Sequence, residues 1–245
     1  MKLLAKLSLI LFFYFSLAAC AVAQKPTVKI LPLGDSITCA SKYKLSYRYP
    51  LWKKLVDAGK QIKFIGSHAA KGDYGRTQWD TYKNLSFPPS HECHPGWRTD
   101  QILNGLNKDG SRLSQWIAGY QADIALIHLG TNDIYQSQTP ESTRDEIEQV
   151  ILTLRTKNPH IKILLARIIP MQMNPNIPRL NQLLLKLSKK LNKPDSPVIS
   201  VDMYSGFSVN TDMQKDKIHP NAKGEEKMAQ RWFTALMGKR IMGQN

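Results

Sequence analysis

The chain has 245 residues, and its 34 lysines and arginines outnumber 19 aspartates and glutamates to give a formal net charge of +15. The length suits one α/β domain and leaves no room for a second, and no internal repeat or low-complexity linker interrupts it. The positive excess, spread along helix faces such as 186–193, favours anionic polysaccharide, cell-wall polymer or phospholipid headgroups as encounter partners; with no nucleic-acid module and no phosphate-binding glycine loop, neither nucleic acid nor a cofactor is expected.

Lys2 and Lys6 flank the start of an apolar run from Leu7 to Leu17 that ends in small residues, the pattern of a secretory signal over residues 1–23 ahead of a single domain at 24–245. The run is too short to cross a membrane as a helix. Two processing readings stand side by side: Ala21-Val22-Ala23 suits ordinary signal peptidase, and Leu17-Ala18-Ala19-Cys20 suits a bacterial lipobox with Cys20 lipidated. Either places the protein outside the cytoplasm, as a periplasmic or extracellular protein or one held to the bacterial envelope by lipid. The Asn84-Leu85-Ser86 sequon matters only in a eukaryotic secreted protein.

Residues 28–33 read as a short buried strand, after which Gly34-Asp35-Ser36-Ile37-Thr38 turns sharply and sets Ser36 at a strand's carboxyl end. In open parallel sheets ligands bind at that end. Asp35 is expected to stabilise the turn through backbone hydrogen bonds. A helix-like stretch follows at 47–59 and a strand at 62–66. The longest irregular stretch, 67–99, carries Tyr74, Trp79, Tyr82 and Phe87, which either wall a cleft or pin the loop down. It ends in His94-Pro95-Gly96-Trp97, where Gly96 lets a backbone N–H approach a ligand and Trp97 could stack on a sugar face. His91-Glu92-Cys93-His94 has the look of a metal cluster, but it lacks a second Cys/His pair, so no metal is expected.

A helix is expected over 99–119 and a strand over 123–129, the latter leading to Gly130-Thr131-Asn132-Asp133 with the Asn132 amide at another carboxyl edge. His128 reads as a buried strand residue and Asp133 as structural; His68 and His160 fall in loops. Helix 141–157, strand 161–168, helix 178–192, strand 197–202 and helix 220–237 complete the alternation. Before the last helix, Asp216-Lys217-Ile218-His219-Pro220 supplies a base for Ser36, with Asp216 to hold the other ring nitrogen; Asp202, at the end of the last strand, is the competing acid. The Ser36 N–H, the Gly96 N–H and Asn132 would receive the oxyanion of a tetrahedral intermediate.

Ser36, Gly96, Asn132 and His219 follow the order of the blocks that name the SGNH (GDSL-like) hydrolases, and the sequence resembles that family over residues 27–237. Tyr47-Arg48-Tyr49-Pro50-Leu51-Trp52, Phe64-Ile65-Gly66-Ser67 and His128 to Ile134 resemble the branch containing carbohydrate esterase family three, which includes acetyl xylan esterases. The resemblance implies a three-layer α/β/α sandwich, flavodoxin-like, around a five-stranded parallel sheet, and a Ser36, Asp216, His219 triad. It further implies hydrolysis of acetyl or other short acyl esters on carbohydrate through an acyl-enzyme. A lipid esterase or lysophospholipase and a non-catalytic carbohydrate-binding module are the alternatives. In that fold the loops bearing Cys39 and Cys93, each three residues from an oxyanion-hole block, would meet; a disulfide is expected there, with two buried free thiols as its rival.

Overall fold

The protein is described by a computed structural model that covers residues 26–39, 46–68, 79–106, 112–172 and 174–243. Residues 1–23, read above as a signal, with Cys20 and both expected processing sites, lie outside the described residues, as does Tyr74. In chain order the elements are β1 (Val28–Gly34), α1 (Arg48–Asp57), β2 (Ile62–Phe64), β3 (Glu92–Cys93), α2 (Thr99–Asn104), α3 (Leu113–Trp116), β4 (Ile124–His128), α4 (Thr131–Tyr135), α5 (Pro140–Lys157), β5 (Lys162–Arg167), α6 (Asn176–Leu191), β6 (Val198–Asp202) and α7 (Ala222–Leu236). The five long-range strands pair in parallel in the order β2-β1-β4-β5-β6. The registers run Ile30 to Ile124, Ala125 to Ile163 and Leu165 to Ser200.

These strands read as continuous apolar runs because both faces of the sheet are covered. Leu31, Leu33, Ala125, Ile127, Ile163 and Leu165 point to one core, shared with Ile147, Val150 and Ile151 of α5 and Leu180 and Leu184 of α6. Their neighbours Ile30, Ile124, Leu126, Leu164 and Ala166 point to the other, shared with Leu51, Trp52 and Leu55 of α1 and Met228 and Trp232 of α7. The period of two along each strand thus yields the two outer helical layers. Capping residues set the helix starts: the Thr139 hydroxyl accepts the Ser142 N–H ahead of Pro140, and the Asn221 side chain accepts the N–H groups of Lys223 and Gly224.

Three elements differ from the sequence reading. The helix expected over 99–119 is broken: α2 stops at Gly105, whose φ of 81° no helix accommodates, and α3 runs on into a short 3-10 turn at Ile117–Gly119. Glu92 and Cys93 form a sixth strand inside the stretch expected to be irregular, paired parallel to β1 through Leu33 and Gly34. Two residues are too few to show any periodicity. A short helix, α4, starts immediately after Gly130 and carries Asn132.

Within the described part of the long loop, 79–99, the aromatic residues Trp79 and Phe87 pin the chain to α1. Trp79 and Phe87 lie 4.3 Å apart, and Phe87 meets both Tyr49 and Trp52 of α1 at 5.5 Å between ring centroids. Arg48 is wholly buried among them, its Nε donating to the Thr38 carbonyl at 2.9 Å and its Nη1 to the Pro89 carbonyl at 2.6 Å. A guanidinium with both carbonyls in place ties the segment after Ser36 to the loop, an arrangement a lysine's single ammonium could not copy.

Candidate active site

Ser36 follows β1 directly, in a turn closed by the Thr38 and Cys39 N–H groups donating to the Asp35 carbonyl at 3.0 and 3.2 Å. The Ile37 N–H donates to the Asp35 carboxylate at 2.8 Å, which locks the turn from inside. Gly34 is required for space rather than for an unusual φ, because a Cβ there would sit 2.1 Å from Thr38 Oγ1 and 2.8 Å from the His128 carbonyl. Below the turn, Thr38 Oγ1 lies 3.1 Å from the Tyr47 hydroxyl, whose pKa burial pushes up to about 12.

Ser36 Oγ lies 2.8 Å from His219 Nε2, and His219 Nδ1 lies 2.7 Å from Asp216 Oδ2. The other carboxylate oxygen of Asp216 accepts the backbone N–H groups of Ile218 and His219, both at 2.9 Å. Burial raises the Asp216 pKa, but these bonds outweigh it and hold the carboxyl below its ordinary range. The histidine loop is itself braced by the Gln214 N–H donating to the His219 carbonyl at 2.8 Å. Asp202 is occupied elsewhere: it pairs with Arg167 at 2.8 Å and accepts the Tyr204 and Ser205 N–H groups.

Gly96 and Asn132 come from different strand ends and are held by one short helix. The Asn132 amide donates to the Trp97 carbonyl at 3.0 Å, the Gln136 amide donates to the Gly96 carbonyl at 3.0 Å, and Asp133 Oδ1 accepts the Thr99 N–H at 3.0 Å. Arg98 Nη1 in turn donates to Gln136 Oε1 at 2.8 Å. Residues 96–99 are therefore clamped at successive positions from α4. Gly96 adopts a φ of 78°, its added Cβ would meet open space, and its N–H bonds to no acceptor among the described residues. Gln136 and Arg98 escaped the sequence reading because nothing in their neighbourhood signals a contact across 40 residues.

Trp97 is half-buried, with its ring 4.7 Å from His94 and 6.1 Å from Trp116. His91-Glu92-Cys93-His94 splits by alternation along β3. His91 and Cys93 face Cys39, and Cys39 and Cys93 are joined as a disulfide with their Cα atoms 5.6 Å apart. Glu92 and His94 gather with His68, whose ring also stacks on that of His91 at 5.5 Å between centroids. The Glu92 carboxylate, fully buried, accepts from the Ser67 N–H and hydroxyl, from Tyr120 and from the His94 ring. Burial pushes its pKa up, and these hydrogen bonds more than reverse the effect, so it braces the Gly96 loop as an anion.

Residues 30–232 match the GDSL-like Lipase/Acylhydrolase family. The chain belongs to that family. As a GDSL-like acylhydrolase it superimposes on an acetyl esterase variant crystallised with acetate, at a TM-score of 0.71 and 26% identity over 86% of this chain and 97% of that one. A carbohydrate esterase family 3 protein from Talaromyces cellulolyticus gives the same figures, and a family 3 carbohydrate esterase from Clostridium thermocellum gives a TM-score of 0.68 at 26% identity over 85% and 94% of the two chains. A multidomain esterase from Ruminococcus flavefaciens is 26% identical over 86% of this chain, which spans only 29% of that relative's length. The family and these neighbours make the GDSL-like chain a carboxylic ester hydrolase of the SGNH type.

Behind the clamp, Asp133 is wholly buried, and burial pushes its carboxyl up to about 6 against the opposing pull of the Thr99 N–H. Glu146 of α5 is pushed by burial up to about 7, with the nearby Asp133 charge adding to the shift and the Ser142 hydroxyl opposing it. A free aspartate ionises near ~4, so between about pH 4 and pH 6 the folded chain keeps a proton that the unfolded chain has lost. Stability contributed by neutral Asp133 is complete below about pH 4 and declines as pH rises through 6, by about 2–3 kcal/mol. Asp133→Asn keeps the acceptor for Thr99 and cannot ionise; it is expected to raise the urea midpoint at pH 8 and to leave it nearly unchanged at pH 4. A lower midpoint at pH 8 would show that the charged carboxylate holds the clamp.

Proposed function

We propose that this chain is an exported serine esterase that removes acetyl or another short acyl group from a carbohydrate. The observation that carries the reading is the continuous hydrogen-bonded line from Ser36 through His219 to Asp216, at 2.8 and 2.7 Å. Export rests on the signal-like residues 1–23, and the carbohydrate class on the similarity to carbohydrate esterases.

In this mechanism His219 Nε2 takes the Ser36 proton as Oγ attacks the ester carbonyl, and Asp216 stabilises the imidazolium that forms. The carbonyl oxygen becomes an oxyanion held by the Ser36 N–H, the Gly96 N–H and the second Asn132 amide proton, the first being spent on Trp97. His219 then gives its proton to the departing sugar oxygen, which leaves as a hydroxyl, and the same base activates water to release the acyl group from Ser36.

The test is acetate release from acetylated xylan together with a series of 4-nitrophenyl esters of rising chain length. Xylan deacetylation with a sharp fall in rate beyond acetyl supports the reading. Rates that climb with chain length and no release from xylan would transfer the assignment to lipid esters, and polysaccharide retention with no turnover would make this a binding module.

The clamp on Gly96 carries its own expected result. Gln136 is exposed, so Gln136→Ala should leave the fold intact while freeing the Gly96 peptide to rotate. Preorganised donors act mainly in the transition state, so kcat should fall about tenfold with KM nearly unchanged. A rise in KM at constant kcat, measured on 4-nitrophenyl acetate, would place Gln136 in substrate binding instead.

A further inference from the structure

A cleft of about 560 Å³ opens beyond the carboxyl ends of β5 and β6, between the loop that leads into α6 and the loop that follows β6. It lies on the same edge of the sheet as Ser36 and Asn132, since all these strands are parallel. Its inner wall is joined to the histidine loop: the Gln172 N–H donates to the Lys217 carbonyl at 3.1 Å, two residues before His219. Tyr204 on the cleft and Ile218 beside the histidine pack against the same core. The cleft wall is therefore coupled to the loop that carries His219.

The lining has a particular chemistry. In a chain of net charge +15, no lysine, arginine, histidine or carboxylate contributes to it among the described residues. Behind it the Lys227 ammonium is spent on Asp212 and the Gly206 carbonyl, and the Arg231 guanidinium on the Ser205 carbonyl, so an anionic ligand would meet no charged side chain on the lining itself and would be poorly compensated for its desolvation. An acyl chain would leave the amides of Gln172 and Asn174 and the Ser205 hydroxyl without partners, which is also unfavourable. What remains are the half-buried ring of Tyr204 and the exposed ring of Pro175 beside those planar amides and that hydroxyl, with Phe207 buried beneath them, a set matched by a neutral molecule with C–H faces and hydroxyl edges. The volume falls in the range of ~300–1,000 Å³ typical of ligand clefts.

The parts are also positioned to receive such a ligand. Tyr204 is half-buried against the core, so its ring is already ordered and binding costs little conformational entropy. The Gln172 side chain is exposed and its backbone sits at a φ of 39°, held by the bond to Lys217. The Asn174 carbonyl oxygen accepts the Asn176 N–H at 3.0 Å, which fixes the plane of its amide and leaves the NH₂ group as donor.

We infer that this cleft is a subsite for a neutral sugar unit of the saccharide whose ester reacts at Ser36. The inference rests on the carbohydrate esterase reading and extends it by assigning a second point of contact, remote from the acyl group. It makes Tyr204 and Gln172 determinants of saccharide affinity and not of chemistry.

The test compares the wild-type protein with Tyr204→Ala and with Gln172→Gly, glycine being chosen because it tolerates the positive φ. Binding of xylohexaose and cellohexaose is measured by calorimetry, and turnover of 4-nitrophenyl acetate is measured beside it. The expected result is saccharide binding by the wild type, weakened about tenfold or more in both variants, with kcat/KM for 4-nitrophenyl acetate changed less than about twofold. No binding of either saccharide by the wild type, or equal binding by all three proteins, overturns the subsite. Loss of 4-nitrophenyl acetate turnover in both variants also overturns it, because the residues would then act through the histidine loop. Saccharide binding that depends on both residues, in a protein that hydrolyses no ester, leaves the subsite standing and sinks the esterase reading.

Discussion

Ser36→Ala is expected to lower kcat on 4-nitrophenyl acetate by about 10⁴-fold or more while leaving the thermal midpoint unchanged. The hydroxyl is the only atom lost, it makes its 2.8 Å contact with His219 at a partly buried surface position, and alanine at that turn needs no rearrangement of the Asp35 bonds beneath it. Residual rate would come from the oxyanion donors acting on bound water, since members of such a set act as a unit and their losses do not add. Asp216→Ala should therefore fall nearly as far without compounding the Ser36 loss, whereas Asp202→Ala should keep most of the activity because its carboxylate serves Arg167 and the β6 terminus. If Asp202→Ala were the silent variant and Asp216→Ala the active one, the acid would have been misassigned. A Ser36→Ala protein with ordinary turnover would remove the covalent mechanism altogether.

Removing the Cys39–Cys93 disulfide is the second large effect. The bond closes a loop of 54 residues, for which chain-entropy arguments give about 4 kcal/mol of stabilisation. For a chain of this length that corresponds to a fall in Tm of roughly 10 °C. Cys39→Ser with Cys93→Ser, compared with the wild type under non-reducing conditions, should show it directly in guanidinium unfolding. The bond also joins the segment after Ser36 to the segment before Gly96, so kcat should drop with the stability, and more steeply as temperature rises. Both cysteines are buried, at 3% and 0% exposure, so the native protein should resist mild reductant. Two thiols that alkylate readily in the native state, or an unchanged unfolding midpoint, would exclude the bond from any such role.

The sheet was legible because a strand covered on both faces has no choice but to be apolar throughout, and each such run ends in turn chemistry. That is why 28–33 and 123–129 mark strands whose observed bounds differ by only a residue or so. Ser36 and His219 stand out for a related reason, since each lies at the boundary of a periodic segment in a short motif. The break in the helix expected over 99–119 was hidden by leucines and isoleucines at helical spacing on both sides of Gly105, where backbone conformation overrode the pattern. β3 was hidden by its length. Arg48 was hidden by its type: an arginine in a helix reads as solvated, and its burial is made tolerable by partners such as the carbonyls of Thr38 and Pro89, one of them 41 residues away. Asp133 and Gln136 gave no local sign of the segment they grip, because the grip exists only once β1, β3 and β4 lie side by side.

Ser36 and His219 stand 183 residues apart, just beyond the first strand of the sheet and just ahead of α7. Between them the chain must lay down every other strand before the two side chains can touch. With the two paired as proposed, catalysis is a late property of the polypeptide, absent from any intermediate whose sheet is incomplete. Turnover thus serves as a proofreading signal for the whole architecture: a half-assembled chain is chemically silent, and its serine is no more nucleophilic than any other until the far end of the molecule arrives.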